Sequence, residues 1–142
     1  MGLTSWILWR GEKLGTRIIS RFIWPPCSAS TVILDGDKIL AIEKGDYLML
    51  PGGLLDRNES FEQAAEREAK EETGLEIEVL EEIHEYIKEF GGVEKVFTAT
   101  VEGGKLESSW EGTPKYIPLE EAYDRKWRWN RDIESLIKKA KA

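Results

Sequence analysis

Residues 53–75, GLLDRNESFEQAAEREAKEETGL, constrain this chain more than any other stretch, because a glycine turn runs there into a short helix rich in carboxylates. Ser60 reads as a helix N-cap, and Gln63 three residues on completes a capping box. The helix is expected to run to about Glu72, with Gly74 as its left-handed C-terminal stop. At about 100° per residue, Phe61, Ala65, Glu68 and Glu72 fall on one side, with Ala64, Ala69 and Glu71 beside them. Glu62, Glu66 and Lys70 point the other way, and Glu66 and Lys70 are spaced as a favourable i,i+4 pair. Phe61 and the small alanines would let the helix lie close against a sheet.

The same side continues as three carboxylates, which is costly unless something compensates them. Glu68, Glu71 and Glu72 are like charges at helical spacing, and the last two stand near the negative end of the helix dipole. A hard cation such as Mg²⁺ resolves both problems, since it takes oxygen ligands and keeps positions open for phosphate and water. A solvated acidic face is the competing reading, and it suits Glu62 and Glu66. It suits Glu68, Glu71 and Glu72 less well, because they align with the face that Phe61 and Ala65 bury.

The pattern Gly53, five residues, Glu59, seven residues, Arg67-Glu68-Ala69, one residue, Glu71-Glu72, one residue, Gly74-Leu75 resembles the Nudix box, with every polar position filled. The resemblance extends over about residues 28–139, and only the box within it is highly specific. Asn58 stands where the family often has glycine, Leu48 where many members have tryptophan, and Ala69 where a larger aliphatic is usual. None of these departures touches a charged group. The resemblance implies an α/β fold, the Nudix α/β/α sandwich, with a mixed sheet, the box helix on one side and a C-terminal helix on the other. It implies Mg²⁺ as cofactor, with Mn²⁺ as the alternative, and Gly53 (through its carbonyl), Glu68, Glu71 and Glu72 as metal ligands. Glu71 would ligate directly or through water. Arg67, about a quarter turn from the carboxylate face, would pair with Glu59 and orient the loop against the helix. The general base would be Glu68 or a later loop residue, Glu107 or Glu111.

The implied reaction is water attack at phosphorus in a nucleoside diphosphate linked to a second group. The partner is thus a small phosphorylated nucleotide, with an ADP-ribose-like nucleotide sugar slightly ahead of a nucleoside triphosphate. Phe90, Trp110, Trp127 and Trp129 are candidates to contact a base, although Trp127-Arg128-Trp129 equally suits a cap on the core. His84, the single histidine, reads as structural. Three other readings compete: a non-catalytic Nudix domain that senses a nucleotide, a structural domain whose acidic helix binds cations, and an isoprenoid diphosphate isomerase. The complete set of box carboxylates opposes the first. Affinity for Mg²⁺ without turnover would mark the second. The third needs a catalytic cysteine and further metal ligands that are not apparent.

The 142 residues suit one domain with a single core. A formal net charge of −7 disfavours extended nucleic acid as a partner. Cys27 is the only cysteine, so no internal disulfide can form and a reducing compartment fits. No apolar run approaches a membrane span, and residues 6–9 are too short for a signal-peptide core, so the cytoplasm is expected. Residues 1–24 read as an N-terminal extension before a Nudix domain over residues 25–142. Ile18, Ile19, Phe22 and Ile23 recur there at helical spacing, as an edge cover or as the arm of a homodimer, with Arg17 and Arg21 as alternative phosphate contacts.

Beyond the box the chain alternates as a sheet protein. Residues 30–34 and 38–43 form an expected hairpin about Asp35-Gly36-Asp37, residues 47–50 a third strand, and residues 76–90 and 93–101 a long pair. Residues 106–113 are expected as loop, residues 116–122 as strand then helix, and residues 130–140 as an amphipathic helix burying Ile133, Leu136 and Ile137.

Overall fold

A computed structural model describes residues 26–89 and 91–142. The expectations for residues 1–24, including Arg17, Arg21 and the homodimer arm, and that for Phe90 fall outside the described residues.

Alternating side chains make the first strand two-faced, and that alternation sets the layers. Strand β1 (Ser28–Val32) pairs antiparallel with β5 (Gly52–Leu54) and parallel with β7 (Val93–Gly104), which pairs antiparallel with β6 (Leu75–Ile87). Ala29 of β1 and Phe97 of β7 pack with Ala64 and Ala65 of helix α1 (Phe61–Thr73). Val32 and Val96, of opposite parity on the same strands, pack with Leu136 and Ile137 of helix α3 (Ile133–Lys141). One helix therefore lies on each face of this mixed sheet.

A second sheet completes the core. Strand β3 (Lys38–Lys44) pairs with β8 (Thr113–Pro118) along one edge, and with β2 (Leu34–Asp35) and β4 (Tyr47–Met49) along the other. The short β9 (Lys126–Trp127) adds parallel to β4, after helix α2 (Leu119–Asp124). The architecture is α/β as expected, but with two mixed sheets in place of one. The division falls at Ile33, between β1 and β2. Ile33 is fully buried, and its carbonyl accepts from the amide of Leu40 as the chain passes from one sheet to the other.

Helix α1 matches its sequence signals closely. Ser60 and Gln63 form both halves of the capping box, and Gly74 ends the helix with φ 82°. Ala64, Ala65 and Ala69 are fully buried, so the helix axis can approach the sheet. The Glu66–Lys70 pair does not form. Glu66 accepts from the amide of Val79 on β6 at 3.3 Å, and Lys70 reaches Glu76 at 3.5 Å. The neighbouring strand offers both side chains a partner that an isolated helix lacks.

Several boundaries move for identifiable reasons. Residues 52–54, expected as a glycine turn, form an edge strand on β1. Strand β6 stays continuous through register shifts near Val79, Glu82 and His84. Thr113 already belongs to β8, so the loop ends at residue 112. The last helix starts at Ile133 and not at Asn130, because Trp129 and Asn130 take φ 63° and 50° and Asp132 supplies the cap. No helix among the described residues is long and apolar enough to cross a membrane.

Ser60→Ala removes the cap bond and is expected to cost about 1 kcal/mol in urea unfolding. Gly74→Ala should cost more, since its new Cβ meets the carbonyl of Lys105 in a backbone conformation that already disfavours a side chain. A reversed order would show that the helix does not end as described.

Candidate active site

The site is built where β5, the edge strand, meets the C-terminal half of α1. Gly53 pairs opposite Ala29, so its missing side chain faces α1. A Cβ there would stand 2.6 Å from the carboxyl carbon of Glu68 and 2.6 Å from one of its oxygens. Glycine is thus the residue that lets the Glu68 carboxylate lie against the strand. Gly52, of opposite parity, faces the other way and packs on Ser30. Its amide donates to Glu72 Oε1 at 2.8 Å. Glu68 is 3% exposed and Glu72 6%, two carboxylates buried side by side on one helix against two glycines.

Arg67 ties the intervening loop to this helix. Its Nε and Nη2 donate to the two oxygens of Glu59 at 2.7 and 2.9 Å, and Nη2 also donates to the Leu54 carbonyl at 2.9 Å. Asp56 Oδ2 lies 3.2 Å from Nε. On the other side Nη1 reaches Glu68 Oε1 at 3.0 Å and Glu71 Oε2 at 3.3 Å. Although its Cα stands off the carboxylate face, the long side chain returns to that face, and the guanidinium supplies counter-charge to Glu68 and Glu71. The Arg67 hydrogen bonds, helped by the Asp56 amide and opposed by partial burial, hold the Glu59 carboxyl below its usual range. Glu59 in turn raises the Arg67 pKa. Asn58, with φ 64°, makes the left-handed bend that brings Glu59 back.

The donor set suits a hard divalent cation: buried carboxylate oxygens, a carboxylate seated against a glycine in the space a Cβ would take, and backbone beside it. Among the described residues no three His, Cys, Asp or Glu side chains form a ready-made coordination group. Arg67 stands between Glu68 and Glu71, while Glu72 is turned to Gly52.

The remaining candidates are dispersed. Glu107 is exposed, with its amide donating to the Thr73 carbonyl at the end of α1, so it stands beside the helix terminus. Glu111 belongs to the tight turn between Ser109 and Gly112, which is laid on Glu43 of β3. His84 meets Lys139 of α3 at 2.6 Å and the ring of Tyr86, in keeping with a structural place. Trp127 is 4% exposed and donates to the Ala122 carbonyl, so it caps the core. Trp110 and Trp129 are exposed.

Sequence reading missed the polar group behind Gly52. Glu94 pairs with Arg131, both nearly buried, and accepts from Ser30 Oγ at 2.5 Å. The signal was available: Glu94 shares strand parity with the core residue Val96, and an inward charge needs a buried partner. Its partner lies 37 residues away, beyond the reach of local patterning.

Comparison with known proteins agrees with this fold. The NUDIX domain model matches residues 25–138. No curated protein matches the chain. An ADP-ribose pyrophosphatase structure from Streptococcus suis 89-1591 superposes with TM-score 0.70 at 21% identity, covering 82% of this chain and 89% of that one. A NUDIX hydrolase from Nitrosomonas europaea gives TM-score 0.64 at 24% identity, covering 81% and 87%. A NUDIX family hydrolase from Clostridium perfringens gives 0.64 at 20%, covering 82% and 94%. The chain belongs to the NUDIX family.

Proposed function

We propose that residues 25–142 form an Mg²⁺-dependent, cytoplasmic hydrolase that cleaves the diphosphate of a nucleoside diphosphate derivative by water attack at phosphorus. An ADP-ribose-like nucleotide sugar is the first candidate and a nucleoside triphosphate the second. The observation that carries the reading is the closure of two buried carboxylates, Glu68 and Glu72, on the glycines of β5. Arg67 offsets part of this charge through Glu68 and the Gly52 amide part through Glu72, and a bound cation would offset the rest.

Glu68, Glu72 and the Gly53 carbonyl would hold the metal, with Glu71 joining directly or through water. Bound there, Mg²⁺ supplies charge neutralisation of the diphosphate and a more acidic water. Through Glu59 and the Leu54 carbonyl, Arg67 holds β5 and the loop after it against α1. The proton of the attacking water passes to a carboxylate, Glu68 within the box or Glu107 beside the end of α1, with Glu111 as the more remote choice. Glu59, Glu68, Glu71 and Glu72 are all present, which favours turnover over nucleotide sensing.

Turnover of ADP-ribose, other nucleotide sugars, dinucleotides and nucleoside triphosphates with Mg²⁺ is expected to yield a nucleoside monophosphate and a second phosphate product from at least one substrate. Glu72→Gln should abolish it. Nucleotide binding without turnover of any member would replace the hydrolase reading with the sensing one.

Gly53→Ala should displace the flexible end of Glu68 and leave the backbone in place. Activity is expected to fall about 10–100-fold, with the Mg²⁺ half-saturation point raised and the melting temperature little changed. An unchanged Mg²⁺ titration would separate Glu68 from the metal.

The Glu59–Arg67 pair also predicts a pH dependence. The folded-state pKa of Glu59 is depressed, so its stabilisation is complete above the unfolded value of about 4.3. It is lost as pH falls through the folded value. The urea-midpoint difference between the wild type and Glu59→Gln should be full at pH 7 and shrink below about pH 4. A difference that persists at the lowest pH would show that charge does not hold the pair.

A further inference from the structure

Trp129 combines exposure, an unfavourable backbone and firm support. It is 72% exposed, the most exposed large hydrophobic side chain among the described residues. Its φ of 63° and ψ of 24° are left-handed, a conformation that a bulky side chain rarely adopts, and Asn130 follows with φ 50°. Strain of this kind persists only where surroundings impose it, and it gathers at ligand sites. Two arginines flank the ring here. The Arg128 guanidinium carbon lies 4.6 Å from the indole centroid and that of Arg131 5.6 Å.

Arg128 is anchored to β4 and Arg131 to β7. Arg128 contacts Met49 Sδ at 3.1 Å, three residues before Gly52. Arg131 is nearly buried against Glu94, which takes the Ser30 hydroxyl, and Ser30 packs on Gly52. The Gly52 amide then donates to Glu72. A continuous run of contacts therefore joins the indole to the carboxylate pair, across the face of β5 opposite Glu68. The charge of Arg131 is matched by Glu94, so Arg128 is the arginine that adds positive charge on this side of a chain of net charge −7.

The other tryptophans singled out in the sequence are placed differently. Trp127 spends its ring and its N–H on the core. Trp110 lies in the turn on β3 with Lys44 over its ring at 5.3 Å, on the second sheet.

We propose that Trp129 is the platform on which the substrate's nucleobase stacks, held by Arg128 and Arg131 beside the glycine loop. It is a specificity-determining residue and takes no part in bond breaking. An aromatic face accepts any base, so the site selects a nucleoside over a bare sugar phosphate before it selects among bases. The inference rests on the hydrolase reading for the identity of the ligand as a nucleotide.

Calorimetric binding of AMP, GMP, CMP, UMP and ribose 5-phosphate to the full chain with Mg²⁺ tests it. At least one nucleoside monophosphate should bind more tightly than ribose 5-phosphate. Trp129→Ala should erase that preference, a loss of about tenfold or more, and Trp129→Phe should retain most of it. A wild type with no preference, a preference that survives Trp129→Ala, or an equal loss in Trp129→Phe each overturns the proposal. Binding is read without turnover. A chain that shows the base preference and hydrolyses nothing would therefore sink the hydrolase reading and leave the platform standing.

Discussion

The geometry of the site depends on one half-buried guanidinium. Arg67 reaches the Leu54 carbonyl and the carboxylates of Asp56, Glu59, Glu68 and Glu71 from a single planar group. These partners belong to two segments, the end of β5 with the loop after it and the helix α1, that sequence periodicity treats separately. A lysine could supply the charge but not the fork, because a point charge cannot satisfy a carboxylate pair and a carbonyl at fixed angles. Charge and geometry are therefore supplied together. The like charges on α1 are offset, and the loop is held at the distance that lets Glu68 close on Gly53.

The adjacent glycines divide the labour by parity. Gly53 opens the α1 side of the edge strand to Glu68, while Gly52 opens the opposite side to Ser30. A larger residue at either place would separate the strand from one of its partners. Because β5 is an edge strand only three residues long, each face has a single position at which this close approach occurs. The buried Arg131–Glu94 pair then connects the second face to the segment before α3. Burying such a pair gains little stability over apolar residues, yet removing either partner alone would leave an uncompensated charge. Its value lies in fixing how the C-terminal segment meets the glycine loop.

Sequence by itself determined the elements whose causes are local. The capping box at Ser60 and Gln63, the stop at Gly74, the alanine face of α1, the turn at Gly36 and the core face of α3 each depend on residues within a few positions of one another. The box spacing also identified the family, because that pattern is written in consecutive residues. Tertiary structure alone decided the rest. It split the strands into two sheets at Ile33, turned Glu66 and Lys70 towards β6, made the glycine turn an edge strand, and joined Glu94 to Arg131. In these cases the deciding partner lies on another element. A strand's parity says which side chains are buried, but only the assembled sheet says what they meet.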